Sequence, residues 1–221
     1  MQTIQGTNKT VKLVVSAMMI ALGTGISLLC EFIPFLNLPF GGTVTIASAL
    51  PVILISYLYG LRWGFGSALV YALLQMAVGF RTVSALFLPD SDSYVGPLFA
   101  LCILFLDYIL AFGSLGTGGL FRNRFSRKAA LIGGSLVSLG LCYLFHVLSG
   151  AIFYGAWAQW FFTESAAKSL PFSPWIMEHC GGALLAWMYS LIYNGCYMIP
   201  EMGITALAAA SVAKLKFLKK H

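Results

Sequence analysis

Asp107 lies inside the apolar stretch Gly96 to Leu120, in the segment FLDYILAFGSLGTGGLF, with no basic residue close to it in the chain. A carboxylate at membrane depth costs about 2.5 kcal/mol or more on insertion scales, so it serves a ligand, an ion path or a partner side chain. Two roles stay open: a bond to Tyr, His or Asn of a neighbouring helix, or a binding site for something cationic. Two other apolar segments supply companions. His146, Ser149 and Gly150 stand at i, i+3 and i+4, which puts them on one helical face, with Tyr154 at its outer end. Tyr189, Tyr193, Asn194, Tyr197 and Glu201 follow in the last apolar segment. Asn194 falls about 140° from Tyr189 on an ideal helix, so the two meet one ligand only across a wide pocket. Together these residues offer a counter-charge, directional donors and acceptors, and flat faces for stacking, which suits a flat, nitrogen-rich, positively charged small molecule. Each also has a plainer reading. His146 alone fits a hydrogen-bonded core histidine, the tyrosine stripe fits packing, and Glu201 fits a bond to backbone groups freed by Pro200.

The elements that must hold these residues are membrane helices. The chain of 221 residues is 59% apolar and 9% charged, with a mean hydropathy of +0.87. Soluble domains carry about 25% charged residues, so the sequence predicts an all-α integral membrane protein. Apolar runs of spanning length fall at about 12–30, 44–60, 64–80, 96–120, 129–153 and 183–213, the second interrupted by Pro51. They predict a six-transmembrane-helix bundle forming one membrane domain over residues 1–221. Breaks fall at Pro34 and Pro39, at Arg62-Trp63-Gly64, from Pro89 to Pro97, across Arg122–Lys128, and at Pro171 and Pro174.

Charge sets the expected orientation. With the amino terminus in the cytoplasm, the inner segments hold Lys9, Lys12, Arg62, Arg122, Arg124, Arg127, Lys128, Lys214, Lys216, Lys219 and Lys220, eleven of the thirteen basic residues. The outer loops receive Glu31, Asp90, Asp92, Glu164 and Glu178 with only Arg81 and Lys168. This asymmetry places both termini inside. The 154–182 loop then lies outside, with Trp157, Trp160 and Trp175 as interfacial anchors, and is long enough to form a lid.

Several chemistries are excluded. The net charge of +6 follows the inner loops and lacks the basic and aromatic stripe of a nucleic-acid binder. The chain has no GxxxxGK[ST] phosphate loop, no HExxH and no GxSxG. Gly116-Thr117-Gly118-Gly119 reads as close helix packing. The five cysteines have no CxxC spacing and read as small apolar groups, and adjacent Glu178, His179 and Cys180 point in different directions, so neither metal nor cofactor is expected. The lysines before the first apolar run mimic a signal peptide, but Leu29 before Cys30 is too large for a lipoprotein cleavage site, which predicts a retained first span.

Four segments carry a resemblance: GGTVTIASALPVILISYLYGLRWG, FLDYILAFGSLGTGGLF, LFHVLSGAIFYGAWA and MYSLIYNGCYMIPE. In order, over about positions 12 to 213, they resemble the thiamine-specific substrate-binding subunits of energy-coupling factor (ECF) vitamin transporters. The most specific part is His-x-x-Ser-Gly-x-x-Phe followed by Tyr-Ser-Leu-x-Tyr-Asn-Gly. The resemblance implies a six-helix protein, not an enzyme, in a prokaryotic plasma membrane. It would capture thiamine, or a thiamine-like small cation, from outside and dock onto one transmembrane coupling subunit and two ATPases. Carried over by motif, Asp107 and Tyr108 fall at the acidic contact and its neighbour, and His146 at the site histidine. Tyr189 and Asn194 match the pair that hydrogen-bonds the pyrimidine. Tyr154 matches a stacking position that is Trp in many relatives. Ala17 and Ala21 match the small-xxx-small docking pattern of the first helix. Gly42 stands where some relatives have Trp in the first outer loop, and Ile103 where a Gln is common. The alternative is an autonomous proton-coupled transporter of thiamine or a related precursor, with Asp107 and His146 as the relay.

Overall fold

The computed structural model describes residues 8–38 and 42–215, so Pro39 and the terminal Lys216, Lys219 and Lys220 lie outside the described residues. Helix α1 (Lys9–Glu31) starts at Asn8, whose side chain accepts from the Thr10 amide, the usual service of an N-cap. It buries Ser16, Ile20, Gly23, Ser27 and Cys30 at helical spacing and turns Val14, Met18 and Leu22 outward. Helix α2 (Leu50–Tyr59) begins with Pro51 in its first turn and stops at Gly60, whose φ of 93° only glycine adopts easily. Helix α3 (Leu61–Val78) then leaves at once, followed by the short α4 (Phe80–Ala85).

The next span is one run, Pro97–Gly119, of changing pitch. It comprises α5 (Pro97–Leu104), a π turn (Phe105–Leu110), α6 (Ala111–Gly113) and a 3-10 segment (Ser114–Gly119). Helix α7 (Arg127–Phe153) is capped by Ser126, and α10 (Gly182–Val212) carries Pro200 inside it. Between them lie α8 (Ala158–Thr163) and α9 (Ser173–His179).

Among the described residues, five helices are long and apolar enough to cross a membrane: α1, α3, the Pro97–Gly119 run, α7 and α10. The expected span at 44–60 is different. Only its second part is helical, and ten residues reach about 15 Å, half a bilayer core. Residues 42–49 before it are irregular, joined to the preceding segment by an isolated Asn37–Thr43 bridge, and Ala47 sits at a φ of 59°. Such backbone survives at membrane depth only when buried in protein. Eight of the ten α2 residues are apolar and the run from Leu50 to Tyr57 is buried throughout, so α2 is an inner strut rather than a lipid-facing span.

Close backbone approach holds the strut. A Cβ on Gly118 would strike Ile53, one on Gly119 would strike the Ser56 carbonyl, and one on Gly134 would strike the Gly118 carbonyl. Ser56 Oγ donates to Gly116 O at 2.5 Å and accepts from the Gly119 amide at 2.9 Å. The GTGG segment therefore packs as its composition predicts. The 154–182 connection is not an open loop but a small helical cap. Phe161, Phe162, Ala167 and Ile176 of this cap pack on Tyr189 and Tyr193 of α10.

Candidate functional site

The cavity lies where several helix ends meet. Glu31 ends α1, Gln75 and Gly79 end α3, Ile103, Asp107 and Tyr108 come from the Pro97–Gly119 run, His146, Gly150 and Tyr154 from α7, and Tyr189 and Asn194 from α10. The irregular 42–49 segment closes a further side with Gly42, Thr45 and Ser48. About 200 Å³ is open to the centres of water-sized molecules. All six residues expected to touch a ligand, Asp107, Tyr108, His146, Tyr154, Tyr189 and Asn194, line this one space.

Asp107 sits in the π turn, a local widening that often occurs at functional positions. Beyond the turn, Ser114 Oγ lies 2.6 Å from Ala111 O and 3.0 Å from Ser138 O of α7, two carbonyls that share its one O–H. Asp107 is paired across helices. Its Oδ1 lies 2.9 Å from His146 Nδ1, and its Oδ2 accepts from Ser149 Oγ at 2.7 Å. A carboxylate only accepts, so Nδ1 carries the proton and the imidazole orientation is fixed. The i, i+3 spacing of His146 and Ser149 is what lets one α7 face hold both oxygens. The histidine ring stands edge-on to Phe112 and Tyr197, with centroids 5.9 and 6.0 Å away.

The α10 side is a second network. Tyr197 OH donates to Asn194 Oδ1 at 2.6 Å, and Asn194 Nδ2 donates to Ser190 O at 2.9 Å and to His146 O at 3.3 Å. Ser190 Oγ donates to Val147 O at 2.7 Å. Asn194 thus stitches α10 to α7 and keeps one Oδ1 lone pair uncommitted. Tyr189 is 2% exposed and packs edge-to-face on Phe161, 5.2 Å between centroids. Tyr108 and Tyr154 add aromatic walls near Gly79 and Ile103 respectively.

Three lining groups take their meaning from the fold rather than from the sequence. Glu201 does not bond the backbone around Pro200; its Oε2 accepts from Thr45 Oγ1 at 2.7 Å and its Oε1 from Thr205 Oγ1 at 3.2 Å. A carboxylate one residue after a proline gave the signal, but its partner lies 156 positions away in sequence. Gly42 lies so close to α10 that a Cβ would stand 2.8 Å from the Tyr197 ring, so no side chain fits where some relatives carry Trp. Gln75 is uncharged in an apolar run and offered no signal at all.

Ala17 and Ala21 lie on the outward face of α1, away from the cavity. Glu178 and His179 are exposed while Cys180 is buried, and among the described residues no three His, Cys, Asp or Glu side chains are grouped to hold a metal ion.

A family model described as Thiamine transporter protein (Thia_YuaJ) matches residues 13–160, from early α1 into the cap. The thiamine transporter ThiT of Bacillus subtilis (strain 168) is 30% identical over 201 residues, covering 85% of this chain and 84% of that protein. A match running through the site-bearing helices and most of both chains identifies a membrane transporter, not an enzyme: the chain belongs to the thiamine transporter family.

Proposed function

We propose that this protein captures thiamine at the outer face of a prokaryotic plasma membrane. It would act as the substrate-binding subunit of an ECF-type importer, with a transmembrane coupling subunit and two ATPases as partners. The observation that carries the binding role is the buried Asp107 carboxylate, held by His146 and Ser149 in an aromatic cavity whose lining includes Glu31 and Glu201 but neither Lys nor Arg. A permanently charged thiazolium is the complement of such a site, because a cation with no N–H on its charged nitrogen gains charge stabilisation there without needing a hydrogen-bond acceptor. In this reading Asp107 balances the thiazolium, and Tyr154 and His146 lie against the rings with Tyr108 beside them. Tyr189 and the open lone pair of Asn194 read the pyrimidine edge.

Binding involves no bond-making. The coupling role rests on the exposed Ala17 and Ala21, where small residues allow another helix to approach closely, and on the lack of a phosphate loop in this chain. The test of binding is titration of the purified chain in detergent, following tryptophan fluorescence with thiamine, its phosphates and its separate ring precursors. Saturable quenching by thiamine with no partner present is the expected result, and silence toward all of them removes the proposal.

The 2.9 Å Asp107–His146 contact also fits a proton relay, which is the basis of the alternative, an autonomous proton-coupled transporter. Vesicles separate the two readings. Uptake driven by a pH gradient without ATPases supports the relay, and uptake that requires the ATPases and ATP supports the importer.

A further inference from the structure

Gln75 is the one cavity-lining amide that the fold leaves incomplete. It is 7% exposed, and Ser27 Oγ donates to its Oε1 at 3.0 Å, which fixes which end of the amide is which. Its Nε2 is buried and makes no hydrogen bond of good geometry, although the Tyr71 hydroxyl stands beside it. An orphaned buried donor destabilises a fold, so one that is kept calls for a use. The last torsion of a glutamine side chain is soft, and a modest turn brings the amide into the cavity it lines.

We propose that Gln75 is a ligand contact, donating through Nε2 to the primary hydroxyl of the bound substrate. This rests on the thiamine reading above. Position selects the hydroxyl. Helix α3 packs against α1, α2 and the Pro97–Gly119 run, while α10 packs mainly on α7, so Gln75 faces the cavity from the wall opposite Tyr189 and Asn194. With the pyrimidine held on the α10 side, the end of the molecule reaching α3 is the thiazolium with its hydroxyethyl arm. A neutral alcohol oxygen accepts from an amide without the desolvation a charged group would bring.

The experiment measures affinity and unliganded melting temperature for wild type, Gln75→Leu and Gln75→Met. The ligands are thiamine and the analogue carrying ethyl in place of hydroxyethyl. Both substitutions should weaken thiamine about tenfold to a hundredfold and leave the analogue's affinity as in wild type, erasing the preference between the two ligands. The unliganded Gln75→Leu protein should melt close to wild type, because the orphaned donor leaves together with the acceptor of Ser27 Oγ. Equal losses for both ligands, no loss for either, or a lower melting temperature with a common loss would overturn the proposal and make Gln75 a packing residue. A wild-type protein that binds neither ligand would instead remove the thiamine reading itself.

Discussion

Asp107 uses both carboxylate oxygens within the protein, yet it remains an acceptor among the cavity-lining groups, since each oxygen keeps a lone pair after bonding His146 and Ser149. Asp107→Asn keeps the shape and removes the charge, leaving the ligand cation without a partner. Half-removal of a buried charge pair costs about 3–5 kcal/mol, so thiamine affinity should fall about a hundredfold or more, read by calorimetric titration. Ser149→Ala removes one donor and keeps the charge; the same titration should show a loss of only about tenfold, and equal losses for the two variants would contradict the charge argument. At this scale the sequence is legible where chemistry contrasts with its surroundings. A lone acid in an apolar run and a histidine three residues from a serine announce themselves. Gln75 and Gly42 do not, because their meaning lies in what stands opposite them: an empty donor position for one, the Tyr197 ring for the other.

Helices of uniform hydrophobicity were readable by length, and α1, α3, α7 and α10 lie within a few residues of their expected limits. The failures have a common physical origin. Period and length report a helix that faces lipid, whereas α2 is surrounded by protein and needs only ten residues, and the π and 3-10 turns of Pro97–Gly119 answer to packing partners far away in sequence. Gly134 marks that dependence. Its missing side chain lets α7 rest on the Gly118 carbonyl, a backbone group that cannot rotate away. Gly134→Ala should therefore lower the melting temperature through overpacking of about 1–3 kcal/mol, roughly 2–4 °C for each kcal/mol at this chain length. Gly25, with open space beside it, is the control: Gly25→Ala in α1 should melt no lower than wild type, since alanine is the better helix former.

The whole molecule is organised around the end at which the cavity opens. Glu31 ends α1, Gly79 follows α3 and Tyr154 follows α7, so these three helices run toward that end, while the Pro97–Gly119 run and α10 leave it. Because α1 and α3 run the same way, the chain returns between them, and residues 42–49 with α2 lie on that return. If the return crosses the bilayer, the expected outcome is six passes, with the start of α1 and the end of α10 at the far end. Lys9, Lys12, Arg62, Arg127, Lys128 and Lys214 are at helix termini on that side, the charge bias from which a cytoplasmic face is predicted. Protease-cleavable tags on the two termini test this directly. Both should be protected in intact cells and both cut in inverted vesicles. One tag cut on each side would mean an odd number of passes, with α2 and its leading segment no longer counting as a crossing. Both tags cut in intact cells would invert the molecule and turn the cavity toward the cytoplasm, where it could not capture an external vitamin.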